Sequence, residues 1–172
     1  MTDTATTIET PFWRFSLKFY RQPAVSDACI VLQDSYGVDV NLLLFLLWLA
    51  SDDRRLSAEE IKMLDDNVRD WRNLTIIPIR DVRRKLKGAP TLVEADTQEA
   101  FRSKVKAVEL EAERLQQEAL YAFTKSGPLG TEASPPVAAL ANIAAYESVL
   151  GIDFPKSSVA VLASAFAAVI GH

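Results

Sequence analysis

Apolar residues recur at helical spacing along almost the whole chain. The segment after Pro23 places them at i, i+3, i+4, i+7 and i+11, a stripe of Val25, Ala28, Cys29, Leu32 and Tyr36. This spacing is typical of a helix that buries one face. No segment carries the alternation of a good β-strand. The pattern therefore predicts an all-α fold, a single irregular bundle of about eight helices that includes one long helix.

Residues 42–50 form an uninterrupted apolar run, so a helix there is apolar around its whole circumference. The run is far shorter than the ~20 residues needed to span a membrane. It therefore predicts the central helix of the bundle and no transmembrane segment. A polar turn precedes it, where Gly37 suits a left-handed helix end and Asp39 suits an N-cap.

Other helix ends are indicated by local motifs. Thr10 precedes Pro11 as an N-cap and first-turn pair, and Ser57 with Glu60 forms a capping box. Asp96 with Glu99 predicts a second capping box. Pro78 predicts a break before a basic helix that ends near Gly88.

The long helix is predicted from Asp96 to Lys125, and its apolar residues step alternately by four and three. They form a heptad seam of Phe101, Val105, Val108, Ala112, Leu115, Ala119 and Ala122. With alanine at several seam positions this helix needs partner helices along its length.

The predicted domain organisation is a flexible N-terminus over residues 1–10 and a single all-α domain over 11–172. A Gly/Pro-rich loop at 127–136 precedes a C-terminal helical hairpin. We expect this hairpin to pack within the bundle. A dimer interface and membrane docking are the alternatives, in that order.

Composition excludes several functional classes. The chain has 172 residues, a net charge of −4, one cysteine and one histidine, His172. These counts argue against an intramolecular disulfide, a histidine-based triad and a multi-histidine metal site. We predict no catalytic residue, no metal site and no cofactor. The Thr-rich start lacks the features of a secretory signal, so we expect a cytoplasmic location. Because the net charge is negative, we do not expect nucleic-acid binding.

Two polar clusters are candidate ligand-binding sites. The first is the turn before the central helix, with Gln33, Asp34, Asp39 and Asn41. The second is the basic helix face, with Arg80, Arg83 and Arg84. Arginine suits phosphates and carboxylates because its planar fork bonds them in a bidentate manner.

Each cluster also has a purely structural interpretation. The turn residues can satisfy the helix ends, and the arginines can pair with acidic neighbours such as Asp65, Asp66 and Asp70. The spacing of those three residues, taken with Asp52 and Asp53, would also allow a Mg²⁺ site. Charged residues at a helix end and a loop, however, are usually not metal ligands. Cys29 lies on an apolar stripe and is predicted to be a buried, inert thiol.

The chain also resembles a known family. It carries W-x-x-S-L-x-x-Y-x-x-P from Trp13, then C-x-x-L-Q-D-x-x-G-x-D-V-N-L-L-L-F from Cys29, and IIPIRDVRRKLK at 76–87. These motifs are similar to those of an uncharacterised family of short proteobacterial proteins, a domain of unknown function, over roughly the first 125 residues. The resemblance implies an all-helical bacterial protein and brings no catalytic residues to carry over.

The functional hypothesis is a protein-interaction or self-associating module, with an unknown protein partner or a second copy of the chain. It depends on the heptad seam, the apolar hairpin and the lack of a catalytic histidine. The alternative is a binding protein or enzyme for an anionic small molecule. Convergence of Arg80 or Arg84 with Asp34, Asp39 or Asn41 on one concave pocket favours this alternative.

Overall fold

A computed structural model describes residues 9–171 as an all-helical protein with one two-residue strand pair. The helices are α1 (Pro11–Tyr20), α2 (Val25–Tyr36), α3 (Val40–Ser51), α4 (Ala58–Trp71), α5 (Ile77–Lys85), α6 (Ala95–Phe123), α7 (Pro135–Leu150) and α8 (Lys156–Ile170). The strands are β1 (Arg54–Arg55) and β2 (Thr131–Glu132). The predicted all-α class is confirmed. Most of the predicted flexible N-terminus, and His172, lie outside the described residues.

The centre of the fold is α3, as its all-round apolar surface predicts. Nine of its twelve residues are buried. Helices α1, α6 and α7 pack around it, so that each of its sides meets apolar side chains. Burial of each leucine contributes about 1.5–3 kcal/mol. No helix within residues 9–171 is both long enough and apolar enough to cross a membrane.

Local capping motifs set most of the predicted helix ends. Thr10 Oγ1 accepts a hydrogen bond from the Trp13 N–H at 3.1 Å, and Ser57 with Glu60 forms the reciprocal capping box. The predicted box at Asp96 is wrong, because α6 already begins at Ala95. Asp96 therefore lies in the first turn of α6, where its charge still favours the helix dipole.

The break predicted at Pro78 is also wrong. A five-residue π-helix (Arg72–Ile76) joins α4 to α5, so one helical stretch runs from 58 to 85. Proline removes one main-chain donor, and the wider π turn absorbs this defect. The described residues therefore form seven separate helical stretches, slightly fewer than the eight predicted.

The C-terminal hairpin packs within the bundle. Helix α7 lies against α3 and α4, and α8 lies against α2 and α1. The buried stripe predicted for α7 is confirmed at Ala139, Ile143 and Tyr146, while Leu162 and Phe166 bury one face of α8. The apolar residues of both helices therefore belong to the same core as α3.

The loop before the hairpin is held by β1, which the sequence pattern did not predict. Arg54 donates from Nε to the Leu129 carbonyl at 2.6 Å and from Nη2 to the Gly130 carbonyl at 2.8 Å. Gly130 has a φ of +67°, and a Cβ there would lie 2.4 Å from the Arg55 carbonyl oxygen. Only glycine fits so close an approach.

Helix α6 turns its polar side inward, in contrast to the seam predicted for it. Its buried residues are Gln98, Glu109, Ala112, Gln116, Gln117 and Leu120. Of the predicted seam only Ala112 is buried, while the side chains of Phe101 and Val108 are 54% and 55% exposed. The buried polar residues find hydrogen-bonding partners on other helices, at the N-cap of α3 and, for Gln98, in the loop after α5, which allows the polar side to face the bundle.

Candidate functional site

A cleft of about 940 Å³ opens between the α1–α2 pair and the α5–α6 pair. The polar turn before α3 and the first residues of α3 form its floor. The cleft brings together all seven residues predicted as ligand-binding, namely Gln33, Asp34, Asp39, Asn41, Arg80, Arg83 and Arg84. These two clusters are separated in sequence and meet only because α5 folds back beside α6.

Asp39 is the hub of the floor. Its Oδ1 accepts from the Leu42 N–H at 3.2 Å, which is the predicted N-cap of α3. Its Oδ2 accepts from Arg72 Nη1 at 2.7 Å and from Gln116 Nε2 at 2.6 Å. The Asp39 N–H donates to the Tyr146 hydroxyl at 3.1 Å. The structural interpretation of the turn is thus correct for Asp39, because both of its carboxylate oxygens already accept hydrogen bonds from the chain.

Arg72 connects the floor to α4 and was not anticipated from the sequence. Its Nη1 donates to both Asp39 and Asp65, at 2.7 Å and 2.8 Å. Burial alone would lower the pKa of Arg72, but the two carboxylates outweigh it and raise the pKa, so the guanidinium remains charged. The only sequence signal for this pairing was the seven-residue spacing between Asp65 and Arg72, and that spacing does not identify Asp39 as a partner.

Asn41 and Gln117 extend the polar floor toward α1. Gln117 Nε2 donates to Asn41 Oδ1 at 2.8 Å, and Ser16 donates to Gln117 Oε1 at 3.0 Å. The Asn41 amide nitrogen donates to no residue within the described part of the chain. Asn41 therefore keeps unused hydrogen-bonding capacity at the cleft.

Gln116 leaves a buried acceptor at the cleft. The residue is 1% exposed, and its Oε1 has no hydrogen-bond donor among residues 9–171. The amide cannot reverse, because the Asp39 carboxylate accepts hydrogen bonds and must face the amide nitrogen. An unpaired buried acceptor costs about 1–3 kcal/mol. Gln116 Oε1 is therefore an unpaired buried acceptor on a residue that lines the cleft.

Ion pairs line the α5–α6 wall. Glu109 accepts from Arg80 Nε at 2.9 Å and from both nitrogens of the Arg83 fork, and Glu113 accepts from Arg80 Nη2 at 2.7 Å. Arg84 pairs with Asp34 at 2.9 Å across the mouth. The predicted acidic partners on α4 are therefore wrong: the arginines pair with α6 and with the polar turn.

The two wall carboxylates differ in their electrostatics. Burial acts to raise the pKa of Glu109, but hydrogen bonds from Arg83 and Arg80 outweigh it, so the pKa falls below its ordinary value. Burial raises the pKa of Glu113, and Arg80 only partly opposes this effect. Glu109 is thus a fixed anion, whereas Glu113 is the more readily protonated group.

Apolar side chains form the rest of the cleft. Trp13 and Leu17 of α1 face this side, together with Ile30, Ile77 and Leu110. Cys29 also borders the cleft but is buried, and burial raises the pKa of its thiol to about 12. The thiol is therefore neutral near pH 7, in agreement with the predicted inert role.

The spacing-based magnesium hypothesis has no geometric support. Within residues 9–171 no group of three or more His, Cys, Asp or Glu side chains is arranged to hold a metal ion. Asp65 and Asp66 instead pair with Arg69, at 2.8 Å and 2.6 Å.

Replacing Glu109 with glutamine should destabilise the protein by about 2–3 kcal/mol at pH 7, because Arg83 loses its carboxylate partner and Arg80 retains only Glu113. The pKa of Glu109 is lowered from 4.5 in the folded state, so its stabilisation is present above pH 4.5 and is lost as the pH falls. Urea denaturation from pH 7 to pH 3 should show the gap between wild type and Glu109→Gln narrowing below pH 4.5.

Glu99→Gln is the matched control on the same helix, because its ion pair with Arg102 is exposed to solvent and should contribute much less to stability. A gap for Glu109→Gln that stays constant with pH would contradict the assigned ion-pair role.

Comparison with known proteins places this cleft within a family. The sequence model of a family described as "Protein of unknown function (DUF2390)" matches residues 11–120, a span that includes every residue lining the cleft. No curated protein and no solved structure matches the chain significantly. Because the match covers well over half of the sequence, in agreement with the resemblance of its motifs, the protein belongs to this family of proteins of unknown function, DUF2390.

Proposed function

We propose that this protein binds a small organic anion in the cleft between α1–α2 and α5–α6. The observation that supports this most directly is the buried amide oxygen of Gln116, a residue of the cleft lining, which has no donor among the described residues. The proposal takes up the anionic-ligand alternative, since Arg80 and Arg84 share one concave pocket with Asp34, Asp39 and Asn41.

The floor selects a group that both donates and accepts hydrogen bonds. Gln116 Oε1 requires a donor, and the amide nitrogen of Asn41 is free to donate to an acceptor. Buried polar groups of this kind discriminate strongly, because a ligand that lacks the matching atoms leaves them unpaired. A ligand with an amide, a hydroxyl or a heterocyclic ring at this end satisfies both.

The mouth favours negative charge. Arg84 is paired with Asp34, but both side chains are substantially exposed, and such pairs contribute little and are readily exchanged. Lys87 and Lys106 lie at the same cleft. The lining has six cationic and five acidic side chains, although the whole chain carries a net charge of −4.

The apolar walls between floor and mouth fit the body of the ligand. Pockets of 300–1,000 Å³ lined mainly by hydrophobic side chains are the ordinary size for small-molecule sites. The ligand therefore has three parts: a hydrogen-bonding end, an apolar or aromatic body, and an anionic end.

A thermal-shift panel separates these three requirements. Nucleotides have all three parts, isoprenoid diphosphates lack the hydrogen-bonding end, and inorganic phosphate lacks the body. We expect the rise in Tm to be greatest for nucleotides and least for inorganic phosphate. No shift across the panel would refute the proposal.

Arg84→Ala tests the mouth by titration calorimetry with the strongest ligand of the panel. Loss of one charge-assisted contact should weaken binding roughly tenfold. Lys85→Ala is the matched control, because Lys85 is the next residue on α5, pairs with Asp81 and does not line the cleft. Equal affinities for the two variants would contradict the proposed orientation.

The self-associating role predicted from the sequence remains a second proposal, and the exposed apolar residues of α6 support it.

A further inference from the structure

We propose that α6 pairs in an antiparallel manner with α6 of a second copy of this chain. The surface is an outer stripe of Phe101, Val108, Leu115 and Ala122, which are spaced seven residues apart and are all exposed. The stripe spans roughly 32 Å of helix at 1.5 Å per residue. Exposed apolar residues that recur at heptad spacing along a surface helix favour pairing with another helix.

The outer stripe is the half of the heptad seam that the fold leaves unused. Helix α6 turns Glu109, Gln116 and Gln117 toward the bundle, so the d positions of the heptad point away from α3. In a coiled coil these positions pack against the facing helix. The sequence therefore encodes a helix-pairing surface that no helix within residues 9–171 occupies.

The charges beside the stripe favour an antiparallel second copy. Lys104, Glu111 and Glu118 occupy the flanking g positions. When two antiparallel α6 helices cross between residues 111 and 112, Lys104 of each lies near Glu118 of the other, and of these three residues only Glu111 lies near its own copy. A parallel pair would instead place Lys104 beside Lys104 and Glu118 beside Glu118 of the partner, which like-charge repulsion disfavours.

Side-chain sizes agree with the same arrangement. A two-fold axis between residues 111 and 112 places Phe101 opposite Ala122 of the other copy, and Val108 opposite Leu115. A large ring thus meets a methyl group, and two branched chains meet each other. Both contacts repeat across the axis, as an isologous interface requires.

Trp71 extends the apolar surface at the centre of the stripe. Its indole N–H donates to the Ala112 carbonyl at 3.0 Å, so the ring lies beside the proposed axis. The ring remains 38% exposed. A partner helix on the outer stripe would cover part of it, and tryptophan is enriched at the centres of interfaces.

Size-exclusion chromatography with light scattering tests the pairing. The full chain should have twice the mass of its 19.0 kDa protomer. Val108→Glu with Leu115→Glu should reduce the mass to that of the protomer, with an unchanged helical circular dichroism spectrum. Leu92→Glu, in the exposed loop before α6, is the control and should remain a dimer. A wild-type monomer at the highest soluble concentration overturns the proposal.

Charge exchange and crosslinking test the orientation in variants that leave the core untouched. Lys104→Glu should weaken the dimer, and adding Glu118→Lys should restore it. Glu111→Cys should form an intermolecular disulfide much faster than Lys104→Cys, because only residue 111 lies at the axis. Equal crosslinking at both positions would indicate a parallel pair and overturn the antiparallel proposal.

Discussion

Replacing Arg72 with methionine should destabilise the protein by about 3–5 kcal/mol at pH 7, the range for removing one partner of a buried ion pair. Arg72 is the only cation within hydrogen-bond distance of Asp39 in the described part of the chain. Methionine fills the apolar part of the space but leaves the carboxylates of Asp39 and Asp65 buried without their shared counter-ion. Chemical denaturation monitored by circular dichroism measures the loss.

The matched control for this prediction is Arg69→Met. Arg69 also pairs with Asp65 but is 45% exposed, so we expect a much smaller loss than for Arg72→Met. Equal losses for the two arginines would contradict the bridging role of Arg72.

Replacing Asn142 with alanine should destabilise the protein by about 3–4 kcal/mol. Asn142 is fully buried, and its Oδ1 accepts from the Leu56 N–H at 2.8 Å. Its Nδ2 donates to the carbonyls of Leu46 and Arg54, at 3.0 Å and 3.1 Å. Alanine leaves the Leu56 N–H buried without an acceptor, which costs about 1–3 kcal/mol, and opens a small cavity as well.

Asn67→Ala provides the comparison for Asn142. The Asn67 amide is exposed and makes one bond to the Met63 carbonyl, so its removal should change the unfolding free energy by about 0.5 kcal/mol or less. Urea denaturation of both variants measures the two changes in unfolding free energy. A loss below about 1 kcal/mol for Asn142→Ala would show that water replaces all three of its hydrogen bonds.

These two residues have different consequences for the cleft. Arg72 and Asp39 form its floor, so Arg72→Met should weaken both stability and ligand binding. Asn142 joins α3, β1 and α7 on another side of the core and does not line the cleft. A ligand that still binds folded Asn142→Ala, but not Arg72→Met, would locate its site at the floor.

What the sequence determined by itself is local. The helix ends at Thr10, Ser57 and Gly37 depend on atoms within six residues of one another, so a short motif is sufficient to predict them. The central position of α3 follows from its own composition, because a helix without a polar side has no surface to expose. The helical period repeats in nearly every segment, which is why the all-α class was also predictable.

The tertiary structure alone decided which polar residues meet and which side of α6 is buried. Gln116 and Gln117 bond to Asp39 and Asn41, which lie 77 and 76 residues away. Arg84 pairs with Asp34 across 50 residues to close the mouth of the cleft. A periodic pattern shows that a helix has an apolar side but not which neighbour will face it. Because those distant partners satisfy its polar side within the bundle, α6 could leave its apolar seam on the surface.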